Sequence, residues 1–373
     1  MLYFTFLIME RFQLKHSNNA IYFTGGIALF LLFLYNGLYF MLPLNEVNPF
    51  EYFFGLDLQV FNLINILTDG TVLPLLAIIS GYLLNMHQDV QKRILSKNIV
   101  ILSLVLLFSS ILLFPFDHII LLSLMLFVGL IFIGKHWIFT LAAGLILFII
   151  HLLINVVLEI IQGLNSNIQH MYSGIQTVNE YLSIYRSSDY LAMVNNNLDV
   201  LLDQPINSII LAVFTILPWI LIGIALNQVK LETFFKDSPY LGIAFIMVLI
   251  LGGLSVKLIQ VLTLGNIVGE SLGEGFGGPV LAVGYFMFLM YIANLLPEFL
   301  KKYFVSVGKY GISLYLIFNI IMMFIFYGIG FTLYGEITVQ IMILLVTGIY
   351  CFFILLCQLL KKKNTPLIES IFR

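Results

Sequence analysis

Long apolar runs separated by short polar connections make up most of the chain from residue 21 onward. They lie at 21–41, 68–86, 98–114, 119–133, 137–157, 206–226, 240–262, 279–296, 311–331 and 337–360. Each is long enough, or nearly so, to cross about 30 Å of hydrocarbon as a helix. The pattern predicts an all-α fold, a polytopic membrane helical bundle of about ten transmembrane helices. The fourth run is short and is parted from the third only by Pro115-Phe116-Asp117-His118. A proline followed by a charge suits a turn better than a helix interior. The polar stretch 159–205, rich in Asn, Gln, Ser and Tyr, is too short for a core of its own and is expected to form an extracytoplasmic cap of short helices.

Composition supports the membrane reading. Of 373 residues, 61% are hydrophobic and only 10% charged, a balance that no soluble domain of this size requires. The placement of charge carries more information than its sum. Basic residues occupy every second connection: Arg11 and Lys15, Lys92 to Lys97, Lys135, Lys230 and Lys236, Lys301 to Lys309, and Lys361 onward. By the positive-inside rule both termini are cytoplasmic and the number of spans is even. No basic block points to nucleic acid, so the expected partners are membrane lipids; small-residue faces such as Ala77 and Gly81 suit either packing within the chain or a second copy of it. Cys351 and Cys357 lie six apart on one run, about 240° around a helix, so no disulfide is expected. Residues 1–8 read as an interfacial stub, or as residues upstream of a start at Met9.

Ionisable and amide groups inside spans are costly and mark function by default. His151, Asn155 and Glu159 share one helical face near the outer end of the fifth run, and Lys257 with Gln260 sits near the outer end of the seventh. Asn36, Ser109, Ser110, Asp117 and His118 fall at the same expected depth, which predicts a water-accessible outer cavity. One reading makes His118 or His151 a general base, Asp117 or Glu159 its orienter, and Lys257 the holder of an anionic substrate or intermediate. The plainer reading makes Lys257 a snorkelling side chain, Glu159 the first residue of a wet loop and Asn155 an interhelical hydrogen-bond partner. Tyr315 and Asn319 form a further polar stripe, for substrate or for packing. Asp117, His118, His151 and Glu159 lack the spacing of a metal site, and no metal is expected. The glycine-rich segment 265–279 has no phosphate-binding signature and reads as a flexible outer loop.

The segment VGKYGISLYLIFNIIMMFIFYGIGF, residues 307–331, with the ending TPLIESIFR, resembles the C-terminal region of the YeiB-like family of bacterial membrane proteins. Lys309 stands where that family has arginine and Ser313 where it has threonine. Tyr315 is kept, and Pro366, Glu369 and Arg373 preserve the outline of the ending. Residues 220–231 and 279–291 are similar to two further spans of the family. The resemblance implies spans 1–158 related to membrane acyltransferases of the heparan-α-glucosaminide N-acetyltransferase type and spans 206–373 of the YeiB-like C-terminal kind, in one membrane domain covering 1–373. It also implies a bacterial cytoplasmic membrane location and acyl transfer from an acyl-CoA donor to a lipid, glycan or small acceptor. The family's Asp and Arg-Gly signature is changed: Tyr22 and Gly25 stand at the Asp and Arg positions, while Gly26 and Asn36 remain. That change favours, as the other reading, a non-enzymatic protein: a transporter of small amphiphiles or an envelope-protection factor.

Overall fold

In a bilayer the backbone has no partner but itself, so leucine-, isoleucine- and phenylalanine-rich runs of this length fold as helices. The computed structural model describes residues 19–44, 49–115, 118–164, 175–229, 231–262 and 267–363. Among the described residues every regular element is helical. The chain is a multi-pass, all-α bundle, and the main elements in chain order are as follows. Helix α1 is Asn19–Met41, α2 Gly55–Thr68, α3 Val72–Met86, α4 Lys92–Leu112, α5 Ile119–Gly129 and α6 Trp137–Leu164. Helices α7 (Ile175–Tyr185) and α8 (Tyr190–Leu202) form the cap, followed by α9 Pro205–Thr215, α10 Leu217–Gln228 and α11 Pro239–Leu262. Helix α12 is Gly278–Leu295, α13 Glu298–Lys309, α14 Gly311–Phe326 and α15 Val339–Lys363.

Eight helices among the described residues are long and apolar enough to cross a membrane. Two further predicted runs map onto the shorter apolar helix Ile119–Phe132 and onto α14, which with α13 makes a pair bent by 73°. Every predicted run therefore has its helix. The runs differ from the expectation where they are broken. A helix not expected from the sequence, α2, leads directly into α3, and the break between them at Asp69-Gly70-Thr71 depends on Gly70 at φ +62°. The sixth run is interrupted at Ile216, ahead of Pro218.

Helix α1 is the central post, packed by α3, α12, α13, α14 and α15. Two crossings bring backbones together. A Cβ on Gly26 would strike the Phe304 carbonyl of α13, and one on Gly81 the Ile220 carbonyl of α10. Small residues allow such close approach, which is the main source of helix affinity where lipid is as apolar as leucine. Gly81 and the wholly buried Ala77 therefore serve packing within the chain. Helices α4, α6 and α11 are peripheral and turn Phe108, Leu153 and Val248 outward. On α15, Cys351 is exposed and Cys357 buried, facing different ways as their spacing requires.

The cap is docked at one end of the bundle. The Asn197 amide donates to the Ile111 carbonyl at the end of α4, and the Gly328 N–H to the Tyr185 carbonyl. The Arg186 Nε donates to the Tyr334 carbonyl at 2.7 Å, and its guanidinium pairs with Glu336 at 3.3 Å. The Tyr185 ring packs against those of Tyr327 and Tyr334, which also meet each other, and its hydroxyl donates to Asn197 while accepting from Asn196. Burial raises the Tyr185 phenol above its ordinary range, so it remains neutral.

Candidate functional site

The seventh predicted span carries one lysine, and the structure buries it completely. Lys257 is 0% exposed, so it is an interior cation rather than a snorkelling one. Its Nζ donates to Gln260 Oε1 at 2.7 Å and lies 3.5 Å from Asp69 Oδ2. The Gln260 amide in turn donates to the same Asp69 oxygen at 3.3 Å. Lys257 and Gln260 meet because they are three apart on α11, one turn of one face. Asp69 reaches them because α2 ends there, and the left-handed Gly70 turns the chain into α3. An isolated charge in this environment would cost several kcal/mol, and the pair with its bridging amide offsets that cost.

The segment read as a flexible outer loop is the structural hub of this site. Residues Gly273–Gly277 form a π-helical turn that runs straight into α12. Its glycines are needed for close approach. A Cβ on Gly273 would collide with the Gln260 side chain, one on Gly277 would press on Val256, and one on Gly278 would strike the Gly70 backbone at 2.5 Å. Glycine is common in loops for its freedom, but here the absence of a side chain lets three helices converge. Single π turns inside helices recur at functional sites.

His151 and Asn155 of α6 face the same turn. The Asn155 amide lies 3.2 Å from His151 Nε2, and a Cβ on Gly275 would sit 2.9 Å from Asn155 Nδ2. The second ring nitrogen, Nδ1, is buried with no hydrogen-bond partner among the described residues. From α1, which packs on α2, Tyr35 donates to Tyr39 at 3.1 Å. Four elements thus bring a cation, a carboxylate, two amides, an imidazole and two phenols to one end of the bundle, the end that carries the cap.

The remaining candidates lie elsewhere. His118 is exposed at the head of α5, whose main neighbours are α4 and α10 rather than the elements that carry the Lys257 group. Asp117 lies outside the described residues, and of Glu159 only the backbone, within α6, is described. Neither His–carboxylate dyad is therefore visible. Asn36 is 3% exposed and Asn319 0%, and they belong to a different face of α1, with Ser109 and Ser110 of α4 and Tyr315 of α14. Phe33 stacks on Phe318 at 4.0 Å, which sets Asn319 level with the cap-side half of α1.

Several polar residues were not singled out from the sequence. Asp69 is one of them, although an Asp-Gly pair at the edge of a span is a helix-break signal. Tyr35 and Tyr39 are an i, i+4 pair within an otherwise apolar helix. At the opposite end of the bundle, Asn85 bridges Asn227 at 2.8 Å and Gln228 at 3.2 Å. His87 beside them bonds the Leu83 carbonyl through Nδ1 at 2.8 Å.

A family model described as a protein of unknown function (DUF418) matches residues 223–366. Lys257, Gln260, the π turn and Asn319 fall within that segment, whereas Asp69, His151 and Asn36 precede it. No curated protein and no solved structure matches the chain.

Proposed function

We propose that this multi-pass membrane protein transports a small amphiphile with an anionic head, and that Lys257 recognises the head. The observation that carries the reading is the meeting of two interrupted helical paths, α2–α3 at Gly70 and the π turn before α12, at a buried Lys–Asp pair. Broken helices crossing at a buried ionisable group are a recurring construction of transporters, because irregular backbone inside a membrane is tolerated where it surrounds a site. An incoming phosphate or carboxylate competes with Asp69 for the Lys257 ammonium, with Gln260 and His151 as further donors. The basic connections support a reading in which both termini are cytoplasmic, in a bacterial cytoplasmic membrane, and the cap end faces outward.

The test uses proteoliposomes and a fluorescent lysophosphatidylglycerol, an anionic amphiphile that crosses bare bilayers slowly. The expected result is transbilayer movement at least about tenfold faster than in empty liposomes, equivalent to about 1.4 kcal/mol of barrier. The double variant Lys257→Met/Asp69→Asn, which removes both charges and leaves no buried ion unpaired, should abolish the acceleration. Equal rates in the variant and the parent would refute the assignment.

A second reading rests on the resemblance of residues 307–331 to YeiB-like proteins, which the matched segment 223–366 contains. In it the chain transfers an acyl group from acyl-CoA, with His151 handling the proton. Labelled acetyl-CoA incubated with the protein and a lipid and glycan extract would yield labelled acceptor, and His151→Ala would lose it. Transfer that survives His151→Ala would remove that residue from the chemistry.

A further inference from the structure

The polar groups on the second face of α1 are as buried as Lys257, and several of their atoms lack partners among the described residues. Phe40 of α1 stacks on Phe114, just beyond α4, with ring centroids 4.1 Å apart. One turn back from Phe40 on the same face lies Asn36, and one turn back from Phe114 lies Ser110. Phe318 of α14 stacks on Phe33 and meets Phe40 edge-on at 6.4 Å, and Asn319 follows it in the chain. Phe326, seven residues beyond Asn319 on the same stripe, also reaches Phe40. Asn36, Ser110 and Asn319 are therefore brought to one level of the interior by three helices, beneath a roof of stacked rings.

Among the described residues the Asn36 Nδ2, the Ser109 and Ser110 hydroxyls and both amide atoms of Asn319 are buried without a hydrogen-bond partner. Their residues are 3%, 5%, 0% and 0% exposed. Buried polar groups in folded proteins are nearly always satisfied, and leaving several unsatisfied in a hydrocarbon surround is costly, so these groups require an occupant. Its chemistry follows from the lining. No charged side chain takes part, which disfavours an ion. The set offers both donors and an acceptor, which suits a hydroxyl. The surrounding rings of Phe33, Phe40, Phe114 and Phe318 are apolar and suit hydrocarbon. Helix α4 turns Leu104, Phe108 and Leu112 outward, so its other side borders the bilayer.

We propose that this set of buried polar groups binds the uncharged hydroxyl head of a membrane glycerolipid, a mono- or diacylglycerol, taken laterally from the bilayer. The site is separate from the Lys257 centre and goes beyond the function proposed above. The amides of Asn36 and Asn319 hold the hydroxyls, Ser110 completes the set, and the acyl chain leaves past α4.

The experiment is photolabelling of the purified protein in nanodiscs with a diazirine-bearing monoacylglycerol, followed by peptide mapping. Expected are saturable labels on peptides of α1, α4 and α14, removed by unlabelled monoolein. Asn319→Leu should weaken labelling at least about tenfold, a loss of about 1.4 kcal/mol in binding. Its melting temperature should be unchanged or higher, because the variant removes an unsatisfied group. Ser110→Ala should weaken labelling without unfolding, and Lys257→Met/Asp69→Asn should leave it intact. The proposal is overturned if labelling does not saturate, leaving internal water as the occupant. It is equally overturned if a monoacylglycerol with both hydroxyls methylated competes as well as monoolein, or if Asn319→Leu lowers the melting temperature and labelling together.

Discussion

Two polar regions share the cap-side half of the bundle, on different faces of α1, and they are built on opposite principles. Around Lys257 every charge has a partner supplied by the chain: Asp69 offsets the ammonium, Gln260 bridges both, and glycines let the helices close on them. Around Asn36 and Asn319 nothing is charged, and the Asn36 Nδ2 and both Asn319 amide atoms have no partner among the described residues. The first region is a closed circuit that a ligand must open, while the second is an open set that a ligand or water must complete. The difference predicts opposite signs of mutation: removing one member of the first should destabilise the fold, and removing one member of the second should not.

The strongest way to break this comparison is Asp69→Ala. It leaves the Lys257 ammonium buried without its counter-ion, and a loss of about 3–5 kcal/mol is expected in thermal unfolding. The double neutral variant Lys257→Met/Asp69→Asn should recover most of that loss. If the single and double variants are equally damaged, the pair is not a closed circuit. Next is Gly70→Ala, which places a Cβ against the Glu274 backbone at a φ of +62°. A cost of about 1–3 kcal/mol is expected from strain, and an effect below about 0.5 kcal/mol would mean that the two helix breaks do not bear on one another.

Smaller and of opposite sign is Asn319→Leu. A leucine of similar volume removes two unsatisfied polar atoms, so a neutral result or a gain of about 1 kcal/mol is expected in the ligand-free protein. A clear loss would show that the amide has a structural partner and that the second region is closed like the first.

The sequence showed the helices more clearly than the way they meet. All ten apolar runs became helices, because hydropathy over twenty residues is a strong signal. Lys257 with Gln260, and His151 with Asn155, were legible because i, i+3 and i, i+4 spacings put them on one face. The grouping was only half right. Asn36, Ser110 and Lys257 share a depth, which a count of residues along a helix gives, but they differ in azimuth, which depends on how α1 is surrounded. Asp69 was hidden because an acid at the edge of a span reads as loop, and its role appears only when Gly70 folds it back. The segment Gly273–Gly277 was misread for a related reason: glycine serves both freedom and close approach, and only the partner helix distinguishes them.

The opposite end of the bundle offers a gentler contrast with both regions. His87 is buried, bonded through Nδ1, and lacks a partner at Nε2 among the described residues. Burial holds its pKa below the ordinary imidazole value, which is about 6.5. Above about pH 6.5 it is neutral in both folded and unfolded chains and has no pH-dependent effect. Below that, the unfolded chain takes up the proton first, so stability falls until the folded value is passed. Melting temperature should decline as the pH falls below about 6.5, and His87→Gln should flatten the decline. An unchanged slope in the variant would place the acid sensitivity elsewhere.

The smallest effect tests where the charged region ends. His118 was a candidate base with Asp117 beside it, yet it stands exposed at the head of α5, on the side of α4 and α10. An exposed side chain with no packing role contributes little, so His118→Ala should change stability by less than about 0.5 kcal/mol. It should also leave lysophosphatidylglycerol movement at the parental rate, because that movement is assigned to Lys257. A large loss of transport with stability intact would extend the functional region across the bundle to α5, and the two-region description would then have to become one continuous path.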